Sequence, residues 1–132
     1  MYYVYDSYLT PPQEWAQLLQ PNGSLSVRGT EVDGVFLGLW LNSDDGDRLI
    51  HPAGFDGFYT YFASEATSFA ANTASWLALG QWARQRGLLF VPSVAPGYND
   101  TRIRPWNGAA SRSRDYGNRC VYICFSVATH IC

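Results

Sequence analysis

The chain contains no lysine: all nine basic residues are arginines, spread from Arg28 to Arg119. Set against eleven acidic side chains they leave a net charge of −2, so no basic patch forms to neutralise a phosphate backbone, and nucleic acid is excluded as a partner. Cysteine is equally scarce. Cys120, Cys124 and Cys132 all fall near the C-terminus. An odd number with no second cluster makes neither a disulfide framework nor a metal site, and no metal or other cofactor is expected. Cys120 and Cys124, one helical turn apart, read as buried side chains of an apolar segment. No apolar run of about 18 residues is present to span a membrane. The opening Met1-Tyr2-Tyr3-Val4-Tyr5-Asp6 lacks the charged start and apolar core of a signal peptide. As written, the chain carries no membrane segment, signal or anchor, which by itself predicts a cytoplasmic product.

What is abundant is aromatic: nine Tyr, seven Phe and five Trp, 16% of the chain. Flat apolar rings beside carboxylates and amides suit sugars, whose faces are apolar and whose edges carry hydroxyls; the same rings also serve as ordinary core. Hydrophobic residues at 47% against 15% charged place the chain among globular proteins. At 132 residues it is long enough for one domain but short for an eight-stranded α/β barrel, which takes about 250. Two glycosylation sequons, Asn22-Gly23-Ser24 and Asn99-Asp100-Thr101, have meaning only in a lumenal protein.

Along the chain, strand and helix signals alternate. Tyr2 to Asp6 is a β-branched and aromatic run. Thr10 then reads as an N-cap, with Pro11 in the first helical position and Gln13 at capping-box spacing. Trp15, Leu18 and Leu19 share a helical face, and Pro21-Asn22-Gly23 ends the helix. Val35 to Leu41 is a continuous apolar run, as in a parallel strand covered on both faces. Asp44-Asp45-Gly46-Asp47 leads into a short helix predicted to stop at Pro52 and Gly54. Phe58 to Ala63 is a third strand. Asn72 or Thr73 caps a longer helix with Trp76, Leu79 and Ala83 on one face, Arg84 and Arg86 in its last turn, and Gly87 at its end. Leu88 to Val91 is a fourth strand.

Four strands alternating with three helices predict a parallel sheet, either doubly wound or part of a barrel. The turn after the first strand, Asp6-Ser7-Tyr8-Leu9-Thr10, is not a Gly-rich phosphate loop, so a nucleotide-binding open sheet loses support. In a barrel the residues just after each strand form the working face: Asp6, Ser7 and Tyr8; Asn42; Ser64 and Glu65; and Ser93 to Tyr98. Asp56 precedes a strand and belongs to the opposite, stabilising end.

Four segments carry a resemblance: Tyr3-Val4-Tyr5-Asp6-Ser7-Tyr8, the run from Gly54 to Ala63 (GFDGFYTYFA), Pro92 to Tyr98 (PSVAPGY), and Asp100 to Asn107 (DTRIRPWN). In order and spacing they closely resemble successive motifs of glycoside hydrolase family 99, over roughly residues 2 to 117. The resemblance implies a partial (β/α)₈ TIM barrel over residues 1–117 and a retaining endo-α-1,2-mannosidase that acts on mannose-containing oligosaccharides of N-glycan precursors without a metal. It also implies a Golgi protein with its working part on the lumenal face of the membrane.

Residues 118–132 resemble nothing in the family and form a divergent tail. In the family, the segment matching Ser111 to Asp115 leads through a helix to a strand bearing Asn-Glu-Trp-His-Glu, whose glutamates do the chemistry. That motif does not occur in these 132 residues. A glycosidase needs two carboxyls held on either side of the bond. The expectation is therefore a fragment or truncated isoform, from an alternative transcript or read-through, with no catalytic residue of its own and little binding or turnover alone. Its open strand edges at Val4 and Val91 would invite self-association.

Residues expected to face sugar in a complete barrel are Tyr61 and Tyr98, with Asp6 and Asp100 at strand ends and Arg104 beside Trp106. Tyr61 and Tyr98 can equally be core aromatics with the hydroxyl at a rim, and Arg104 can equally anchor its own loop to Asp100. A non-catalytic carbohydrate-binding or regulatory module is the alternative function.

Overall fold

The computed structural model describes residues 1–62 and 68–94, together with the short elements at 98–99, 105–107 and 111–112. The chain divides into two compact units, Met1–Ser93 and Val94–Cys132. The expected boundary between residues 117 and 118 lies outside the described residues.

The first unit is a four-stranded sheet: β1 (Tyr2–Val4), β2 (Phe36–Leu39), β3 (Gly57–Tyr59) and β4 (Leu89–Val91), in the order β1-β2-β3-β4 with every pair parallel. Helices α1 (Pro12–Leu19), α2 (His51–Ala53) and α3 (Trp76–Gln85) fall one in each crossover. A doubly wound sheet reverses its strand order at a switch point. Here each strand lies beside the one before it, which is how a barrel wall is built.

Local chemistry sets the helix ends, not always where the sequence pattern places them. Thr10 does not cap α1. It closes a 3₁₀ turn over Ser7–Leu9, and the helix starts at Pro12 with Pro11 as its cap residue. The reason is the Pro11-Pro12 pair: a residue before proline is pushed out of the helical region, and Pro11 accordingly sits at φ −56°, ψ 142°. The same rule ends the helix, because Gln20 precedes Pro21 and is extended at ψ 145°. Pro52 does not stop the second helix. A π-helical turn over Gly46–Ile50 runs straight into α2, with Pro52 as the second of its three residues. Gly54, at φ 83°, is the residue that ends it. Asn72 caps the turn Thr73–Ser75 that opens α3, its side chain accepting from the Ala74 N–H at 3.0 Å. Trp76, Leu79 and Ala83 are buried together as expected.

One sheet face packs on the helices. Phe58 is fully buried between Trp40, Trp82 and Phe90, with ring centroids 4.4, 5.9 and 5.0 Å away. Gly38 is on this face because a Cβ there would come within 2.7 Å of Ile50. On the other face Leu37 and Leu39 are closed to solvent, whereas Tyr3 and Leu89 on the flanking strands are 55% and 46% exposed. In a closed barrel such positions interdigitate in layers fed by all the strands.

At the N-terminal ends of the strands, Arg28 ties the loops together. Its guanidinium donates to the carbonyls of Leu19 (2.6 Å), Gly34 (2.9 Å) and Gly54 (3.1 Å) and to both oxygens of Asp56 (3.0 Å each). Asp56 also accepts from the Phe36 N–H at 2.8 Å, which gives it the stabilising role expected of this end. Asp33 accepts from the N–H groups of Gly29 and Gly34, and these bonds, with Arg28 nearby, hold its carboxyl below the usual aspartate range.

In the second unit the described elements are a two-stranded antiparallel sheet of β5 (Tyr98–Asn99) and β6 (Ser111–Arg112), and a 3₁₀ turn over Pro105–Asn107.

Candidate functional site

The C-terminal ends of β1 and β3 bring five phenols, of Tyr3, Tyr5, Tyr8, Tyr59 and Tyr61, together with the Asp6 carboxylate. Alternation along β1 places Tyr3 and Tyr5 on one face, and β3 supplies Tyr59 and then Tyr61. Tyr3 meets Tyr59 edge-on with centroids 5.3 Å apart, and Tyr5 meets Tyr61 edge-on at 6.0 Å. The hydroxyls of Tyr5 and Tyr61 share a hydrogen bond, and the Tyr59 hydroxyl donates to the Val4 carbonyl at 3.3 Å. Tyr8 donates to Asp6 Oδ1 at 2.9 Å.

Asp6 holds the turn that makes this possible. It adopts φ 52° and ψ 33°, left-handed backbone that aspartate tolerates better than most residues, and so reverses the chain directly after the strand. Ser7 is then drawn inward. Expected on the working face, it is instead buried at 1% exposure, its hydroxyl accepting from the Leu39 N–H at 3.0 Å where β1 has left the ladder. Trp15 of α1 donates to the Ser7 carbonyl at 2.9 Å and pins the turn to its helix. Thr60 plays the same part between β3 and β4, accepting from the Ser93 N–H at 3.1 Å.

The loop after β2 is fastened by a buried acid. Asp45, closed to solvent, accepts from the N–H groups of Leu41 (2.8 Å) and Asn42 (2.7 Å) and pairs with Arg48 at 2.5 Å. Asn42 stays exposed at the rim, as expected, with its carbonyl accepting from the Trp40 indole.

Burial, the Tyr5 hydrogen bond and the neighbouring Tyr5, Asp6 and Tyr8 push the Tyr61 phenol far above the usual tyrosine range. Burial and then the charges of Tyr5 and Asp6 raise Tyr59, and the bond to Asp6 raises Tyr8. All three are therefore neutral hydroxyls at physiological pH. Because the folded pKa of Tyr61 lies above its unfolded value near 10, its contribution to stability is present below about pH 10 and is lost as the pH rises further. Replacing Tyr61 by Phe is thus expected to remove a phenol that ionises above the usual tyrosine range from an alkaline absorbance titration. The same variant should lose stability less steeply than the parent above about pH 10.

Of the residues expected to face sugar, Asp6 and Tyr61 meet in this cluster through Tyr5 and Tyr8. Tyr98 lies in β5 of the second unit, and Trp106, in the 3₁₀ turn Pro105–Asn107, is 83% exposed. Asp100 and Arg104, like Ser64 and Glu65 of the expected rim, lie outside the described residues. Tyr3, Tyr5 and Tyr59 are the members that sequence reasoning did not single out; the i, i+2 aromatic alternation from Tyr3 to Tyr5 and from Tyr59 to Tyr61 was the available signal. The carboxylate of this cluster among the described residues is Asp6, and glycoside hydrolysis takes two. Among the described residues no three His, Cys, Asp or Glu side chains converge as a metal site, and no helix is long and apolar enough to cross a membrane.

The profile of glycosyl hydrolase family 99 matches residues 1–130 of this sequence. The chain belongs to that family. The human glycoprotein endo-alpha-1,2-mannosidase-like protein is 48% identical over 117 residues, covering 89% of this chain and 25% of that protein. The zebrafish (Danio rerio) protein of the same name is also 48% identical over 117 residues, with coverage of 89% and 26%. The glycoprotein endo-alpha-1,2-mannosidase of Xenopus laevis is 45% identical, again with coverage of 89% and 26%. Among solved structures, the GH99 endo-alpha-mannosidase of Bacteroides thetaiotaomicron matches at a TM-score of 0.82 and 50% identity, covering 87% of this chain and 33% of that one. The same enzyme in complex with BIS-TRIS-propane matches at 0.81 and 49%, with coverage of 88% and 35%. The fold described above is accordingly part of an α/β barrel of this endo-alpha-mannosidase type. The chain spans about a quarter of the length of the curated relatives it matches.

Proposed function

We propose that this chain is an endo-α-1,2-mannosidase-like segment that forms part of the wall of a sugar site and does not hydrolyse mannosidic linkages by itself. The observation that carries this reading is the cluster of Tyr5, Asp6, Tyr8 and Tyr61 at the C-terminal strand ends, where barrel enzymes work. Neutral phenols present both donors and acceptors to sugar hydroxyls, and their rings offer faces to the sugar's apolar side. The acid and nucleophile of a retaining glycosidase must stand about 5 Å apart on a rigid frame. Asp6 alone does not make such a pair, and the glutamate motif implied by the family is not among these residues.

In this reading the substrate class is a mannose-containing oligosaccharide of the N-glycan precursor type, met in the Golgi lumen. In the same reading residues 1–117 supply barrel wall and residues 118–132 a tail, although the family profile runs on to residue 130. The edges of β1 and β4 are where further strands, or a second copy of the chain, would pair.

Incubation of the purified chain with a glucosylated mannose oligosaccharide is expected to release no disaccharide. Release at a rate untouched by Asp6→Ala would show that the chemistry resides elsewhere in the chain and would overturn the proposal. A second reading, sugar binding without turnover, is favoured by the same tyrosines. A saturable change in Trp fluorescence on titration with that oligosaccharide, lost in Tyr61→Ala, is its expected signature.

A further inference from the structure

The sequon Asn22-Gly23-Ser24 has no part in the sugar-facing cluster, and its setting is specific. It lies in the connection between α1 and β2, at the N-terminal end of the strands and so at the opposite end of the sheet from Tyr61. The Gly23 N–H bonds the Gln20 carbonyl at 3.0 Å, closing a turn with Pro21 and Asn22 at its two central positions. Asn22 and Ser24 are both exposed, and the Asn22 side chain makes no hydrogen bond among the described residues. The Ser24 hydroxyl donates to Gln17 Oε1 at 3.1 Å, on the same side of the turn as the end of α1. The middle residue has to be glycine here, because a Cβ at Gly23 would sit 2.2 Å from the Gln17 carbonyl oxygen. The folded unit therefore presents the acceptor amide to solvent at a turn tip, away from the working face, where a bulky polar group is accommodated without repacking.

From this placement we propose that Asn22 is an N-glycosylation site, carrying an oligosaccharide on the stabilising end of the barrel wall. In the transfer, the Asn22 amide nitrogen bonds to the anomeric carbon of a lipid-diphosphate-linked oligosaccharide. The bond from that carbon to the diphosphate oxygen breaks, the lipid diphosphate leaves with the electron pair, and one amide proton is released. The inference rests on the lumenal setting of the proposed function. The other sequon begins in β5 of the second unit, and its last two residues lie outside the described residues, so the test removes it.

The full chain behind a cleavable secretory leader, with Asn99→Gln throughout, is translated with microsomes, and protease-protected product is treated with a peptide N-glycosidase. One mobility step, reversed by the glycosidase, is expected. The step should vanish in Asn22→Gln and Ser24→Ala and persist in Ser24→Thr, a contrast that loss of folding would not produce. Protected chains that show no step, or a step that survives Asn22→Gln, overturn the proposal. The added leader supplies delivery, so that failure leaves the mannosidase-like reading to the oligosaccharide experiments above.

Discussion

Replacing Arg28 by Ala is expected to destabilise the first unit by about 3 kcal/mol, toward the lower end for breaking a partly buried ion pair because Asp56 remains about one-third open to water. Arg28 joins three loops at once. Its loss strands the carbonyls of Leu19, Gly34 and Gly54 and leaves the Asp56 carboxylate, among the described residues, with the Phe36 N–H as its remaining partner. Arg28→Lys is expected to recover less than half of that, since an ammonium keeps the charge but cannot reach acceptors arranged around a planar fork. Urea unfolding of the full chain, followed by Trp fluorescence, measures both. An Arg28→Ala midpoint indistinguishable from the parent would mean that water replaces the guanidinium and that the loops are held by other contacts.

Asp45→Ala is expected to cost a similar amount, about 3 kcal/mol, by a different route. Two part-buried backbone N–H groups, of Leu41 and Asn42, lose the acceptor that the solvent-closed Asp45 supplies, and a donor left unsatisfied away from water costs roughly 1–3 kcal/mol. Arg48, by contrast, is half exposed, with 52% of its side chain open to water, so Arg48→Ala is expected to cost less than about 1 kcal/mol. The order of the two variants is the decisive feature: if Arg48→Ala proved the more damaging, the ion pair rather than the backbone bonds would hold the loop. Asp45→Asn should fall between them, because the amide oxygen still accepts but without the charge. The same loop positions the Asn42 carbonyl that takes the Trp40 indole proton. A shift in Trp emission is therefore expected for Asp45→Ala and not for Arg48→Ala.

Both residues show where reading the sequence stops. Asp45 stands in an acidic, glycine-containing stretch that reads as a turn before a helix, and it does precede one; nothing local reveals that its carboxylate faces inward to the end of β2. Arg28 lies between strand and helix signals with no periodicity of its own, and its partners are up to 28 residues away. The helix ends were more legible, with instructive exceptions. Thr10 carries the right chemistry for a cap, but the double proline behind it moves the helix start by one residue. Pro52 reads as a stop, yet the helical run that begins at Gly46 passes through it and ends one residue later, at Ala53 before Gly54. Ser7 was legible as a polar residue after a strand. Its hydroxyl's place in the ladder depends on the left-handed turn at Asp6, which no pattern of apolar residues announces.

By itself the sequence determined the alternation of strand and helix, the parallel character of the sheet and membership in glycosyl hydrolase family 99. Those features rest on short-range periods of two and 3.6 residues and on contiguous motifs, and both are written locally. Only the tertiary structure decided that β1 to β4 lie side by side in chain order and that Tyr5 meets Tyr61 across 56 positions of sequence. It alone turned Ser7, Asp45 and Thr60 inward to finish the strand ends. Strand register sets those meetings, and register follows from how the buried faces pack, which depends on every strand and helix together.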